Sequence, residues 1–189
     1  MRILITCDVN DEKYDSYTLS VYKQFLDAHD FERYFNIKNE FRKKVFLIAR
    51  GELRSKLGGI LHIEPQEIHF LYNMAGKPFV ANKNANVFFN IAHSENLIAL
   101  VISSIEIGID IEKKKERNFA GISKKIFGKE ICDIDEFYET WTTNEAIAKC
   151  NGVSLLRQAK DPYFDIDAYD VDRTTYQEAL IRIASRKYQ

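Results

Sequence analysis

Two carboxylates, Asp110 and Glu112, stand two positions apart in the segment IEIGIDIE at residues 105–112. In an extended chain the period of two turns Ile105, Ile107, Ile109 and Ile111 to one face and Glu106, Gly108, Asp110 and Glu112 to the other, giving a core face and an acidic face. Carboxylates this close on one face repel unless solvent or a cation screens them. A solvated strand end meets that condition. So does a hard-cation site, because magnesium favours one or two carboxylates and keeps room for water and phosphate oxygens. Further along, Trp141, Glu145 and Lys149 recur every four residues. They share a helix face, with Trp141 as anchor and two opposite charges beyond it. An ordinary helix salt bridge has the same pattern; the reading changes if Glu145 meets Asp110 and Glu112 in space, since three converging carboxylates imply a metal.

Two smaller signals accompany these. His93 follows the apolar run VFFNIA, between Ala92 and Ser94, where a strand ends and an imidazole is partly exposed. It reads as a capping or core histidine or as a phosphate contact. Gly76-Lys77-Pro78 is a turn by default, and a lysine stiffened by the following proline can also meet a phosphate.

The elements that must position these residues follow from periodicity. Residues 2–9 read as a short buried strand, and residues 14–36 as helical. Phe41, Val45, Ala49, Leu53 and Leu57 recur every four residues with Ile48 beside them, while Arg42, Lys43, Arg50, Arg54 and Lys56 take other faces. That pattern predicts an amphipathic helix ending at Gly58-Gly59. Residues 68–72, 87–91, 97–102 and 105–111 read as strands. Helices are expected at 122–127 and from 129 to about 149, the second carrying Ile134, Phe137, Trp141 and Ala148 at helical spacing. After an acidic, aromatic patch, the run ALIRIAS predicts a closing strand. The class is α+β or α/β, with two similar-sized lobes.

The bulk numbers bound the function. With 46% hydrophobic residues in 189, a substantial core is available. The 27 basic and 28 acidic side chains nearly cancel, so no global field draws the chain to nucleic acid or an anionic membrane, and any anion site must be local. Cys7, Cys132 and Cys150 lie far apart and form no C-x-x-C pair, which argues against a disulfide framework or thiolate zinc and for a reducing cytoplasm. The start MRILITCDVNDEK carries too short an apolar run for a signal segment, and no stretch is long enough for a membrane span. A soluble chain is expected.

Taken together and in order, GKPF at 76–79, FNIAHS at 89–94, GIDIE at 108–112 and WTTNEAIAK at 141–149 resemble the signature motifs of the 4′-phosphopantetheinyl transferases. The similarity is greatest to the surfactin-synthetase-activating, single-chain type. It covers residues 40–152, and GIDIE followed by W-x-x-x-E-A-x-x-K is its most specific part. The resemblance implies two pseudo-symmetric lobes, drawn here as residues 1–95 and 96–189, with coenzyme A and Mg²⁺ in the cleft between them. It implies Asp110, Glu112 and Glu145 as magnesium ligands, Lys149 as a contact of the pyrophosphate, and Glu145 as general base. Lys77, Pro78 and His93 match positions that grip the adenosine 3′-phosphate end, with Arg33 as a further basic residue.

The implied reaction is Mg²⁺-dependent transfer of phosphopantetheine from coenzyme A to a serine of an acyl or peptidyl carrier protein, for which a monomer suffices. Three departures stand out. Asn144 occupies the place of the family's lysine in W-x-x-K-E-A, Ala92 replaces the serine before the histidine, and the stretch after Gly152 is shorter and lacks a glycine-rich segment. They open an alternative, a coenzyme A-binding relative with weakened catalysis. A third reading, another metal-dependent phosphoryl or phosphodiester enzyme, needs a nucleotide or nucleic-acid surface that the balanced charge does not suggest.

Overall fold

A computed structural model describes residues 1–82 and 85–187. The chain is α+β. Its first half forms β1 (Arg2–Asp8), α1 (Ser16–Phe25), α2 (Ala28–Asn36), α3 (Glu40–Leu61), the short pair β2 (Phe70–Tyr72) and β3 (Pro78–Val80), β4 (Phe88–Ser94) and β5 (Leu97–Ser103). The rest forms β6 (Ile107–Glu112), α4 (Phe119–Phe127), α5 (Ile134–Asn151), α6 (Leu155–Ala159), β7 (Tyr169–Tyr176) and β8 (Ala179–Arg186). Two antiparallel three-stranded sheets result, ordered β1-β5-β4 and β6-β8-β7, and β2-β3 make a separate hairpin.

The two sheets close on one apolar core. Leu97, Ala99 and Val101 of β5 meet Ile107, Ile109 and Ile111 of β6 and Ile181 and Ile183 of β8. The alternate residues of β5 point the other way: Leu100 and Ile102 pack with Leu53 and Leu57 of α3, and Ile98 packs with Val45, Ile48 and Ala49. Burial on both faces explains why LIALVIS is continuously apolar rather than alternating. β5 lies beyond the boundary drawn at residue 95, yet it is hydrogen-bonded to β1 on one edge and β4 on the other. A division by sheet membership therefore falls between Ser103 and Ile107.

Several boundaries differ from the sequence expectation for local reasons. The helical stretch of residues 14–36 is two helices, because Asp27 caps α2 by accepting from the Asp30 backbone N–H at 2.8 Å. Strand β1 is half-buried rather than buried, with Leu4 39% exposed. Helix α3 does not stop at Gly58-Gly59 but runs to Leu61 and is capped by His62 in the left-handed region, φ 56°. Gly58 instead admits the returning chain, since a Cβ there would come within 2.8 Å of the Ile63 carbonyl. Helix α5 begins at Ile134, not 129, where the Asp133 side chain accepts from Glu136 N–H. The run ALIRIAS forms β8, the central strand of its sheet.

Candidate active-site cleft

The packing of α5 on β6 builds the acidic part of the site. Gly108 lies on the same strand face as Asp110 and Glu112, and a Cβ at Gly108 would run into the Ala146 carbonyl and the Cys150 backbone. Glycine thus lets the helix backbone touch the strand and brings Lys149 over Asp110. Lys149 Nζ donates to Asp110 Oδ1 at 2.7 Å. Asp110 is 5% exposed, and its other oxygen, Oδ2, has no hydrogen-bond partner. Burial pushes the Asp110 carboxyl up to about 7; Lys149 opposes the rise, and the charges of Glu112 and Glu145 add to it. Glu145 is also raised, first by burial and then by Glu112, with Lys149 opposing. Glu112 Oε2 accepts from the Ser94 hydroxyl at 3.0 Å.

The three carboxylates expected to hold magnesium are therefore electrostatic neighbours. Among the described residues, however, no three His, Cys, Asp or Glu side chains are gathered tightly enough to hold a metal ion as they stand. Lys149, expected toward phosphate, donates to Asp110, and that pairing lowers the cost of burying a carboxylate beside two others. The donor set still fits a hard divalent cation: all ligands are carboxylates, they repel one another without one, and the Asp110 Oδ2 lone pairs are free.

Beside these groups lies a cleft of about 1150 Å³. One wall is α3 with the end of α2, and the other is β4, the turn before β3, and the residues around the end of α5. Arg33, Lys38, Arg42, Arg50, Lys115 and Lys149 line it, and Glu95 is the only carboxylate among the described lining residues. The near-neutral chain gathers several of its cations in one concavity, a geometry that focuses potential on an anion. His93, exposed on β4, opens into it. Its basicity is lowered by desolvation and then by the charges of Lys149 and Arg42, with Glu112 opposing. Pro78 is on the cleft wall. Lys77 is there too, but its ammonium turns to Cys150 O, Glu106 Oε2 and Ile107 O, at 2.9, 2.9 and 3.3 Å. Arg33 stacks over Phe46 and Tyr72 at the rim. Asn144 donates to the Thr140 carbonyl of its own helix at 2.8 Å, so its amide does not face the carboxylates.

The four motifs thus meet around one cleft and its floor. No protein-family model matches the chain. Individual proteins do: a 4′-phosphopantetheinyl transferase of Aneurinibacillus migulanus, gsp, is 28% identical over 162 residues, which cover 80% of this chain and 62% of that protein. The transferase HetI of Nostoc is 33% identical over 132 residues, covering 62% of this chain and 55% of HetI. Sfp of Bacillus subtilis is 31% identical over 113 residues, covering 54% of this chain and 50% of Sfp. The chain is thus similar, over much of its length, to 4′-phosphopantetheinyl transferases. Its matches span between half and about three fifths of the length of these relatives.

Two arginines of α3 depart from the sequence expectation. Arg50 and Arg54, expected on other faces than the apolar stripe of α3, are 6% and 0% exposed. Arg54 pairs with Asp27 at 2.5 Å and with Asp30 at 2.8 Å, and Arg50 Nε lies 3.2 Å from Asp30. Their i, i+4 spacing against the i, i+3 spacing of Asp27 and Asp30 was the available signal: two short runs of complementary charge on two adjacent helices. Lys38, Arg42 and Lys115 carried no such signal, because single basic residues look alike until the fold gathers them.

Proposed function

We propose that this chain transfers the 4′-phosphopantetheine group of coenzyme A to a serine of an acyl or peptidyl carrier protein, with Mg²⁺, releasing 3′,5′-ADP. The observation that carries the reading is a cationic cleft whose floor is the Asp110–Lys149 pair with Glu112 and Glu145 beside it. Coenzyme A carries a pyrophosphate and a separate 3′-phosphate, which is the kind of extended polyanion such a lining favours. In this reading the 3′-phosphate end takes His93, Pro78 and Arg42, with Arg33 at the rim, and the pyrophosphate takes Lys149. Lys149 donates one hydrogen bond to Asp110 and has two further N–H donors for phosphate oxygens.

Asp110, Glu112 and Glu145 would hold Mg²⁺, which supplies charge neutralisation at the phosphate oxygens when bound. Glu145, made more basic by its burial, takes the proton of the carrier serine directly or through one water. The serine oxygen bonds to the β-phosphorus, the bond to the bridging oxygen breaks, and 3′,5′-ADP leaves with the electron pair. Lys149 offsets the charge that grows on that leaving oxygen. A cytoplasmic setting and action as a monomer belong to the same proposal; among the described residues, no helix is long and apolar enough to cross a membrane.

Asn144 favours a second reading, a coenzyme A-binding chain with weakened transfer, because a cation of the family's motif is missing beside the pyrophosphate. Intact-mass analysis of several apo carrier proteins after incubation with the chain, coenzyme A and Mg²⁺, with an EDTA control, separates the two. A metal-dependent phosphopantetheine adduct establishes transfer. Coenzyme A binding by calorimetry with no adduct on any carrier establishes the second reading, and absence of both overturns each.

A further inference from the structure

The turn between β2 and β3 holds the C-terminal end of α5. When a helix ends, its last carbonyls need new partners. Two of them are met by the chain's own reversal: with Gly152 at φ 63°, the Gly152 N–H donates to Lys149 O at 3.2 Å and the Val153 N–H to Ala148 O at 3.0 Å. Two more are met by the turn. Lys77 Nζ donates to Cys150 O at 2.9 Å, and Asn73 Nδ2 donates to Gly152 O at 3.2 Å. Asn73 Oδ1 meanwhile accepts from the backbone N–H groups of Ala75 and Lys77, both at 2.9 Å. One side chain thus shapes the turn that carries Lys77 and reaches the helix end beside it.

The Lys77 ammonium has three protons, and here it has three acceptors, Cys150 O, Ile107 O and Glu106 Oε2. The partial negative charge at a helix C-terminus favours a cation in that place. A ligand phosphate could engage Lys77 only by displacing the Glu106 carboxylate or by stripping a proton donor from the Cys150 or Ile107 carbonyl. Lys149 precedes Cys150 by one residue, so whatever fixes the Cys150 carbonyl fixes the backbone from which Lys149 reaches Asp110.

We infer that Asn73 and Lys77 form a clamp that sets the end of α5, and that Lys77 is a positioning residue of the cleft rather than a ligand of the coenzyme A phosphates. The inference rests on the reading of this cleft as a coenzyme A site. Lys77→Met keeps the aliphatic stem and removes the donors. Asn73→Asp keeps the oxygen that frames the turn and sets an oxygen against Gly152 O in place of Nδ2.

Two measurements test it. In ligand-free protein, backbone hydrogen exchange at residues 149–153 is expected to quicken about tenfold in each variant, while β8 keeps its wild-type protection. By calorimetry, coenzyme A and 3′-dephospho-coenzyme A are expected to weaken by the same factor in each variant, with the double variant no weaker than Lys77→Met alone. Unchanged exchange at the end of α5 would remove the clamp. Loss of the preference for coenzyme A over its dephospho form in Lys77→Met alone would make Lys77 a direct phosphate ligand and overturn the inference. If the wild-type chain binds neither nucleotide, the coenzyme A reading fails, and the exchange measurement still decides the clamp.

Discussion

Asp110 and Lys149 show how the same residues change meaning once their partner is known. As a lone pair of carboxylates, Asp110 and Glu112 suit a solvated strand end; with Lys149 bonded to Oδ1 and Oδ2 left bare in a buried position, that reading does not hold. A buried acceptor without a donor is costly and calls for a ligand or a function. Two outcomes are expected at this scale. Glu145→Gln removes the proposed base without changing its volume, so transfer should fall about 10²- to 10⁴-fold while calorimetry still detects coenzyme A binding. Asn144→Lys should keep or raise the rate, because it adds a cation near the pyrophosphate and gives up only a bond to the Thr140 carbonyl. A large loss of rate in steady-state assays of that variant would mean that the asparagine has a role of its own.

The elements act through close approach and through buried charge. Gly108 is the point where β6 and α5 touch, and overpacking a tight contact costs about 1–3 kcal/mol. Gly108→Ala should therefore lower the thermal midpoint and, because it pushes Glu145 and Lys149 away from Asp110, reduce transfer by more than the fraction of unfolded protein explains. Helices α2 and α3 are joined by Asp27, Asp30, Arg50 and Arg54. Burial alone would raise the Asp27 carboxyl, but the Asp30 backbone N–H and Arg54 more than offset it and hold it below the usual carboxylate range. A lowered acid contributes stability that is present above its unfolded value, near 4, and is lost as pH falls through the lower folded value. Denaturant melts below about pH 4 should thus show a smaller loss in Asp27→Asn than in the wild type, since Asp8, Asp15 and Glu95 are also held low, and an equal loss in that variant would contradict this account.

For the whole molecule, the decisive quantity is the distribution of charge rather than its sum. A net charge of −1 gives no long-range attraction for a polyanion, whereas a cleft lined by Arg33, Lys38, Arg42, Arg50, Lys115 and Lys149 does so locally. Coenzyme A affinity is therefore expected to fall as ionic strength rises from about 0.01 M to 0.15 M, where the screening length shrinks from about 30 Å to about 8 Å. Titrations in which affinity is indifferent to salt would place the ligand outside this cleft.

The sequence by itself determined most of the elements and the core. The alternation in IEIGIDIE, the four-residue repeat from Val45 to Leu57 and the run ALIRIAS are periodic signals, and each became the strand or helix it predicted because burial of an apolar face dominates at that scale. It also carried the resemblance to the transferases, since four motifs in order are information no single residue carries. Tertiary structure alone decided the partners. Whether Arg50 and Arg54 face water or Asp30, whether Lys77 meets a phosphate or the end of α5, and whether Lys149 lies on Asp110 depend on which elements pack together. Contacts such as Lys77 with Cys150 and Lys149 with Asp110 join residues 73 and 39 positions apart. A charged side chain looks the same to a local pattern whether it is solvated or paired; only the packing that removes its water makes the difference.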